Sequence, residues 1–190
     1  AHARARAHAH AGAVVAAAVT RDGSLVATVA DTGDVKLWRP GTPAGDVPTT
    51  VHVGGRLRSA VFCACRGRDG AQQHKLFVDC DDDNSLYCVV PPAQPTPAPK
   101  SGDTGAAALG VAQVTRVAQF ETRVRAMAVG ADGATLYVLR WVTSLAVVAA
   151  ATGAVVADVP VPLEYADVLA VAGSGTVYVA NGSSAASIVD

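Results

Sequence analysis

Asp22-Gly23-Ser24-Leu25-Val26-Ala27-Thr28-Val29-Ala30-Asp31-Thr32-Gly33-Asp34-Val35-Lys36-Leu37-Trp38 reads as two short apolar strands, each entered through a turn. Asp-Gly supplies the positive φ that a tight hairpin turn needs. Val, Thr, Leu and Trp within runs of about five residues suit a pleated, half-buried surface. Residues 13–20 form an apolar run before this stretch, and residues 47–53 form another after it. The unit is a strand, an Asp-Gly turn, a strand, a polar turn, a third strand, and a fourth.

The unit recurs. A second copy runs through 57–65, a longer turn holding Asp69-Gly70, and 75–80. It continues through the turn Asp81-Asp82-Asp83-Asn84 and the strand 85–90. A Pro-rich insert, 91–105, follows, and the fourth strand resumes at 114–120. A third copy takes 124–129, Asp132-Gly133, 135–139, a turn around Arg140-Trp141-Val142-Thr143, then 144–149 and 154–161. The last copy, 167–190, carries three strands. Asp22 to Asp69 is 47 residues, and Asp69 to Asp132 is 63, or 48 without the fifteen-residue insert. Asp132 to Gly173 is 41.

A period near 40–45 residues with four strands is the signature of a propeller blade. The predicted fold class is all-β: a β-propeller of four-stranded blades, about 3.75 of them. The expected organisation is a low-complexity extension over 1–12, then blades at about 13–53, 57–120, 124–161 and 167–190. Closed rings commonly have about four to eight blades. The chain therefore reads as part of a larger ring. A four-bladed ring closed by the N-terminal segment is the alternative, and a β-sandwich is the structural competitor.

Composition agrees with stacked sheets. Of 190 residues, 39 are Ala and 31 are Val, whereas Phe, Trp and Met together number six. Small side chains fit where sheets approach closely. No apolar stretch reaches the ~20 residues of a membrane-spanning helix. Fifteen basic against sixteen acidic residues give no charge argument for nucleic acid. Without a secretory signal, an intracellular location, cytoplasm or nucleus, is expected.

The chemistry-bearing residues form no familiar catalytic pattern. Cys63, Cys65, Cys80 and Cys88 lack the paired C-x2-4-C spacing of zinc sites and read as small buried hydrophobes. His2, His8 and His10 belong to the low-complexity opening. Asp79, Asp81, Asp82 and Asp83 surround one hairpin turn and read as solvated. A calcium loop would need Gly and Glu where Asn84 and Val90 stand. His52, in an outer strand, and His74, in a turn, belong to no nucleophile motif, and no phosphate-binding Gly loop is present. No catalytic residue, metal site or cofactor is expected.

The first copy resembles a WD repeat. Asp22-Gly23-Ser24-Leu25-Val26-Ala27-Thr28, then Gly33-Asp34-Val35-Lys36-Leu37-Trp38-Arg39, carry the likeness. Arg39 replaces the usual Asp, and no Gly-His pair opens the unit. The family's His–Ser/Thr–Trp bond network is therefore expected to be incomplete. Trp38 is expected in the core. Val177-Tyr178-Val179-Ala180-Asn181 resembles the divergent Tyr-Val-x-Asn class of propeller repeats, as does Ala151-Thr152-Gly153-Ala154-Val155-Val156-Ala157. The resemblance implies a ring of seven blades and a non-catalytic protein-interaction scaffold.

A narrower resemblance is to the propeller subunit of the tRNA guanine-N7 methyltransferase. Gly12-Ala13-Val14-Val15, Arg58-Ser59-Ala60-Val61 and Val78-Asp79-Cys80 carry it, with Arg140 the one counterpart of an Asp-Arg-Asp motif. It would imply a cofactor-free subunit holding a catalytic partner. A propeller enzyme or small-ligand binder of the lactonase or quinoprotein-like type is the alternative from another class. Asn181 and Glu164 would be its channel candidates.

In such blades, the loops joining strand four to the next strand one share a face with the loops joining strands two and three. That face is expected to carry Arg56, Arg58, Asp81, Asp82, Asp83, Glu121, Arg123, Arg125, Arg140 and Trp141. Arg and Trp dominate interface energies, so these are the expected partner-binding residues. The competing reading of Trp141 is a ring folded back over the blade edge. The Pro-rich insert falls on the opposite face. The expected partner is a protein, with neither nucleic acid nor membrane implied.

Overall fold

The computed structural model describes residues 10–41, 48–66, 70–92, 111–141, 144–181 and 184–189. Residues 1–9, Asp69 and the insert from residue 93 onward lie outside these. The described residues form fifteen strands. The first four are β1 (Val14–Val19), β2 (Val26–Ala30), β3 (Asp34–Trp38) and β4 (Thr49–His52). The next are β5 (Leu57–Arg66), β6 (Gln72–Cys80), β7 (Ser85–Val90) and β8 (Gln113–Gln119). Then come β9 (Val124–Val129), β10 (Thr135–Arg140), β11 (Ser144–Ala149) and β12 (Val155–Pro160). The last are β13 (Val168–Val171), β14 (Val177–Ala180) and β15 (Ala185–Val189).

Each strand pairs antiparallel with the next inside its unit. The result is three four-stranded sheets, β1–β4, β5–β8 and β9–β12, and a three-stranded sheet, β13–β15. The opening strands of successive sheets lie side by side: β1 with β5, β5 with β9, β9 with β13. This is the blade succession of a partial β-propeller.

Three apolar cores lie between consecutive blades. Ala27, Val29, Val35 and Leu37 of blade one meet Leu57, Leu76 and Val78 of blade two. Phe77, Leu86 and Cys88 meet Val124, Leu136 and Val138 of blade three. Leu139 and Leu145 meet Ala166, Val177 and Val179 of blade four. Burial follows from this stacking. Blade two is covered on both faces, so Leu76-Phe77-Val78-Asp79-Cys80 is buried throughout. Blade one is covered on one face, so β2 and β3 alternate, with Thr28 and Lys36 half-buried.

The Asp-Gly turns are built as expected. Gly23 has φ 70° and Gly133 has φ 71°. Asp22 Oδ1 accepts from Thr20 Oγ1 at 2.7 Å, Ser24 N at 3.0 Å and Ser24 Oγ at 2.8 Å. These donors, the Thr20 hydroxyl foremost, hold its carboxyl well below the usual carboxylate range. All four cysteines are buried and unbridged. Burial pushes the Cys63 thiol up to about 12 and Cys88 to about 11, so both stay protonated packing groups.

Two expectations about blade one change. Trp38 is half-buried, on the face turned away from blade two. Its Nε1 donates to Thr28 Oγ1 at 3.0 Å, and the Thr28 hydroxyl lies 2.8 Å from His10 Nε2. The His–Thr–Trp bonds therefore form. Their histidine is His10, two residues before Gly12, and composition alone had placed it in the low-complexity opening. His10 Nδ1 is buried without a partner among the described residues.

His10 makes stability pH-dependent. Burial and then the nearby Lys36 charge lower its pKa from the ordinary 6.5. Below 6.5 the unfolded chain binds more protons than the folded one. This contribution is complete above 6.5 and lost as pH falls through it toward the folded value. The thermal midpoint of the wild type is expected to drop faster than that of His10→Gln across this range. Parallel profiles would remove His10 from the network.

Candidate functional site

The antiparallel meander puts the β2–β3, β6–β7 and β10–β11 turns on the same face as the β4–β5, β8–β9 and β12–β13 connections. Backbone bonds tie each turn to the start of its own blade. Asp31 N donates to Ala13 O at 3.0 Å, Asp81 N to Arg56 O at 2.8 Å, and Trp141 N to Arg123 O at 3.0 Å. All the sequence-predicted residues lie at these ends. They divide into two groups of different chemistry.

Blades two and three open their inner strands with the same pattern, Arg56-Leu57-Arg58 and Arg123-Val124-Arg125. The central residue of each is buried, Leu57 at 0% and Val124 at 4% exposure, and anchors the strand in the core. In blade two the adjoining turn is acidic. Arg58 Nη1 donates to Asp81 Oδ1 at 3.2 Å, and Arg56 N donates to Asp82 Oδ2 at 2.9 Å. Asp83 accepts from Tyr87 Oη at 2.9 Å and from Ser85 N at 3.1 Å. Within this group Arg58 is paired with a carboxylate, and the three Asp side chains are each held by a donor.

Asp79 is a correction. It is 2% exposed rather than solvated, because its place in β6 turns it between blades. It accepts from Ser59 N at 2.6 Å and from Ser59 Oγ. Burial raises its pKa, and the Ser59 hydroxyl and amide oppose this.

In blade three the turn presents Trp141 where blade two presents Asp81. The Arg123 and Arg125 guanidinium carbons lie over the Trp141 ring, 4.2 and 4.3 Å from its centroid. Each such contact is worth about 0.5–1 kcal/mol at an exposed site. Trp141 is half-buried. Tyr165, from the β12–β13 connection, meets it edge-on, with ring centroids 6.2 Å apart at 76°. Tyr165 is 67% exposed and has φ 56°, a conformation uncommon for a bulky residue. Arg125 reaches Asp167 at only 4.0 Å. Arg140 is committed elsewhere, to Asp158 and over the Phe120 ring at 5.4 Å. Glu121 is exposed beside this group.

Sequence reasoning missed Tyr165. Its signal was positional, since Tyr165 precedes buried Ala166 as Arg56 precedes Leu57 and Arg123 precedes Val124.

The other constellations are occupied by structural bonds. Asn181 Nδ2 donates to Glu164 O at 2.9 Å, and Asn181 Oδ1 accepts from Ser184 N at 2.8 Å. His52 pairs with Asp34 at 2.9 Å. His74 lies in β6, not in a turn, and pairs with Asp22 at 3.3 Å. Among the described residues no group of three His, Cys, Asp or Glu side chains is placed to hold a metal ion. The opposite face bears an open cavity of about 1440 Å³ lined by Asp22, Arg39, His74, Lys75 and Pro92 among others. Several of its charged groups are engaged: Lys75 Nζ donates to Ala151 O and Arg39 Nη2 donates to Pro92 O.

No protein-family profile matches the sequence, and no curated protein matches it. Solved structures do match. One is the crystal structure of the Cps50 (Swd1) β-propeller domain of Myceliophteria thermophila, with 12% identity and a TM-score of 0.61. The match covers 87% of this chain and 48% of that one, so the chain spans about half its length. The likeness shows the β-propeller fold. Among the described residues no helix is long and apolar enough to cross a membrane.

Proposed function

We propose that this chain is a non-catalytic interaction scaffold that docks a protein partner on the face bearing Arg56, Arg58, Asp81, Asp82, Asp83, Arg123, Arg125, Arg140 and Trp141. The observation that carries this reading is the Arg123–Trp141–Arg125 stack with exposed Tyr165 beside it. Arg and aromatic side chains of this kind are the usual anchors of interfaces. Among the described residues no Arg–aromatic stack of this kind stands on the cavity-bearing face. The narrower reading, a methyltransferase-complex subunit, has no observation in its favour, since its motif residue Arg140 is spent on Asp158.

The same reading places these blades in a larger ring, of seven blades as in WD propellers. Val168 and Tyr178, 54% and 47% exposed, lie on the side of blade four turned away from blade three. A further blade would cover them as blade three covers Val177 and Val179.

The test is co-purification of the full-length protein from its source, followed by native mass spectrometry. A protein partner at similar abundance is expected. Trp141→Ala with Arg123→Glu is expected to release it with little change in thermal midpoint. Ser174→Glu, at the other end of the blades, is expected to retain it. Retention by the first variant, or no stoichiometric partner, would sink the reading.

A further inference from the structure

Blades two and three pose the same pair of arginines to two different turns. The acidic turn of blade two answers the Arg58 guanidinium through Asp81 and takes the Arg56 backbone N–H at Asp82. The turn of blade three offers a π-face instead, which orders the pair without neutralising it. Two like charges are thereby held over one ring. Among the described residues Arg123 has no carboxylate within ion-pair distance, and Arg125 has only Asp167 at 4.0 Å. A guanidinium held over a ring by its π-face has no carboxylate taking its N–H donors, and its planar fork suits bidentate capture of one. The side chains are already ordered, so less rotamer freedom is lost on binding. Tyr165 adds an exposed aromatic surface at the edge of the stack. The chain as a whole carries formal charge −1, so the attraction is local and not the broad positive field that nucleic acid requires.

We infer that the Arg123–Trp141–Arg125 stack, edged by Tyr165, is the receptor for an acidic linear segment of a partner protein. Carboxylates of that segment engage the two guanidinium edges, and an apolar residue beside them packs on Tyr165. This inference rests on the docking reading above and names its ligand.

Fluorescence anisotropy on the full-length protein tests it. The probes are a short Glu-rich peptide containing Phe and the same peptide with Gln at every Glu. Binding is expected for the acidic peptide alone, weakening with added salt. Arg123→Gln is expected to weaken it about tenfold or more, the scale of a lost hydrogen bond to a charged group. Arg123→Lys, which keeps the charge but not the planar fork, is expected to weaken it less, yet measurably. Trp141→Leu is expected to match Arg123→Gln if its melting profile stays cooperative, and the Arg123 variants decide the matter if it does not. Equal binding of the Gln peptide would overturn the inference. So would indifference to both Arg123 changes, or tighter binding of a single-stranded RNA through the same residues. If the face variant still releases a stoichiometric partner while no acidic peptide binds, the docking face stands and this ligand falls.

Discussion

Phe77→Ala is expected to destabilise the chain by about 3–5 kcal/mol, the range for deleting a buried aromatic side chain. Phe77 is fully buried in β6, opposite Val61 on β5 and Cys88 on β7. It reaches across to Leu136 and Val138 of blade three. The chain has three Phe, and the core around this one is mostly Val, Ala, Leu and Cys. Small side chains on paired strands cannot swing in to fill the space, so most of the cavity persists. At about 2–4 °C per kcal/mol for a chain of this length, the thermal midpoint should drop by roughly 6–20 °C. Against a typical total stability of about 5–15 kcal/mol, that is a large fraction of the whole. Phe77→Leu, which keeps much of the volume, should cost far less. Equal losses for the two variants in thermal or urea melts would mean that this inter-blade contact contributes little.

Gly33→Ala is expected to cost about 2–5 kcal/mol, from two sources. Gly33 has φ 89°, where an Ala residue is strained by about 1–2 kcal/mol. A Cβ there would also stand 2.9 Å from Gly54 C and 2.9 Å from Gly55 O. Both are backbone atoms that cannot rotate aside, and overpacking of this kind adds about 1–3 kcal/mol. The turn is closed by Val53 N donating to Gly33 O at 2.8 Å, so yielding would break the bond joining the turn to the exit of β4. Gly23→Ala is the matched control. Gly23 also has positive φ, 70°, but a Cβ there meets nothing within 4 Å. Its loss should be the conformational part alone. The difference between the two melts measures the clash, and equal losses would show that the close approach at Gly33 relaxes.

The strands and turns were legible because their signals are local. Asp22-Gly23 and Asp132-Gly133 announce positive φ, and the apolar runs between turns announce strands, whatever they pack against. Contacts made across the sheet were not legible. His10 lies eighteen residues before its partner Thr28, inside a run that reads as low complexity, so the completed His–Thr–Trp bonds had no local sign. Asp79 was masked by the acidic run beside it. The pleat turns it into the core while Asp82 stays exposed. For the candidate site, the residue types and the face could be read from the order of the loops. The partition into a blade-two group with Arg58 paired to Asp81 and a blade-three group with both arginines over Trp141 could not.

The sequence by itself determined the repeat, the all-β class, the turn positions and the end of the blades where Arg and Trp collect. Period, pattern and turn chemistry are properties of neighbouring residues, and a meander fixes which loops share an end. Only the tertiary structure decided which of those side chains are already answered. Arg58 meets Asp81, Arg140 meets Asp158, and Arg123 and Arg125 meet the face of Trp141. That depends on angstrom-scale distances between residues far apart in the chain, set by how each inner strand lies against its own turn.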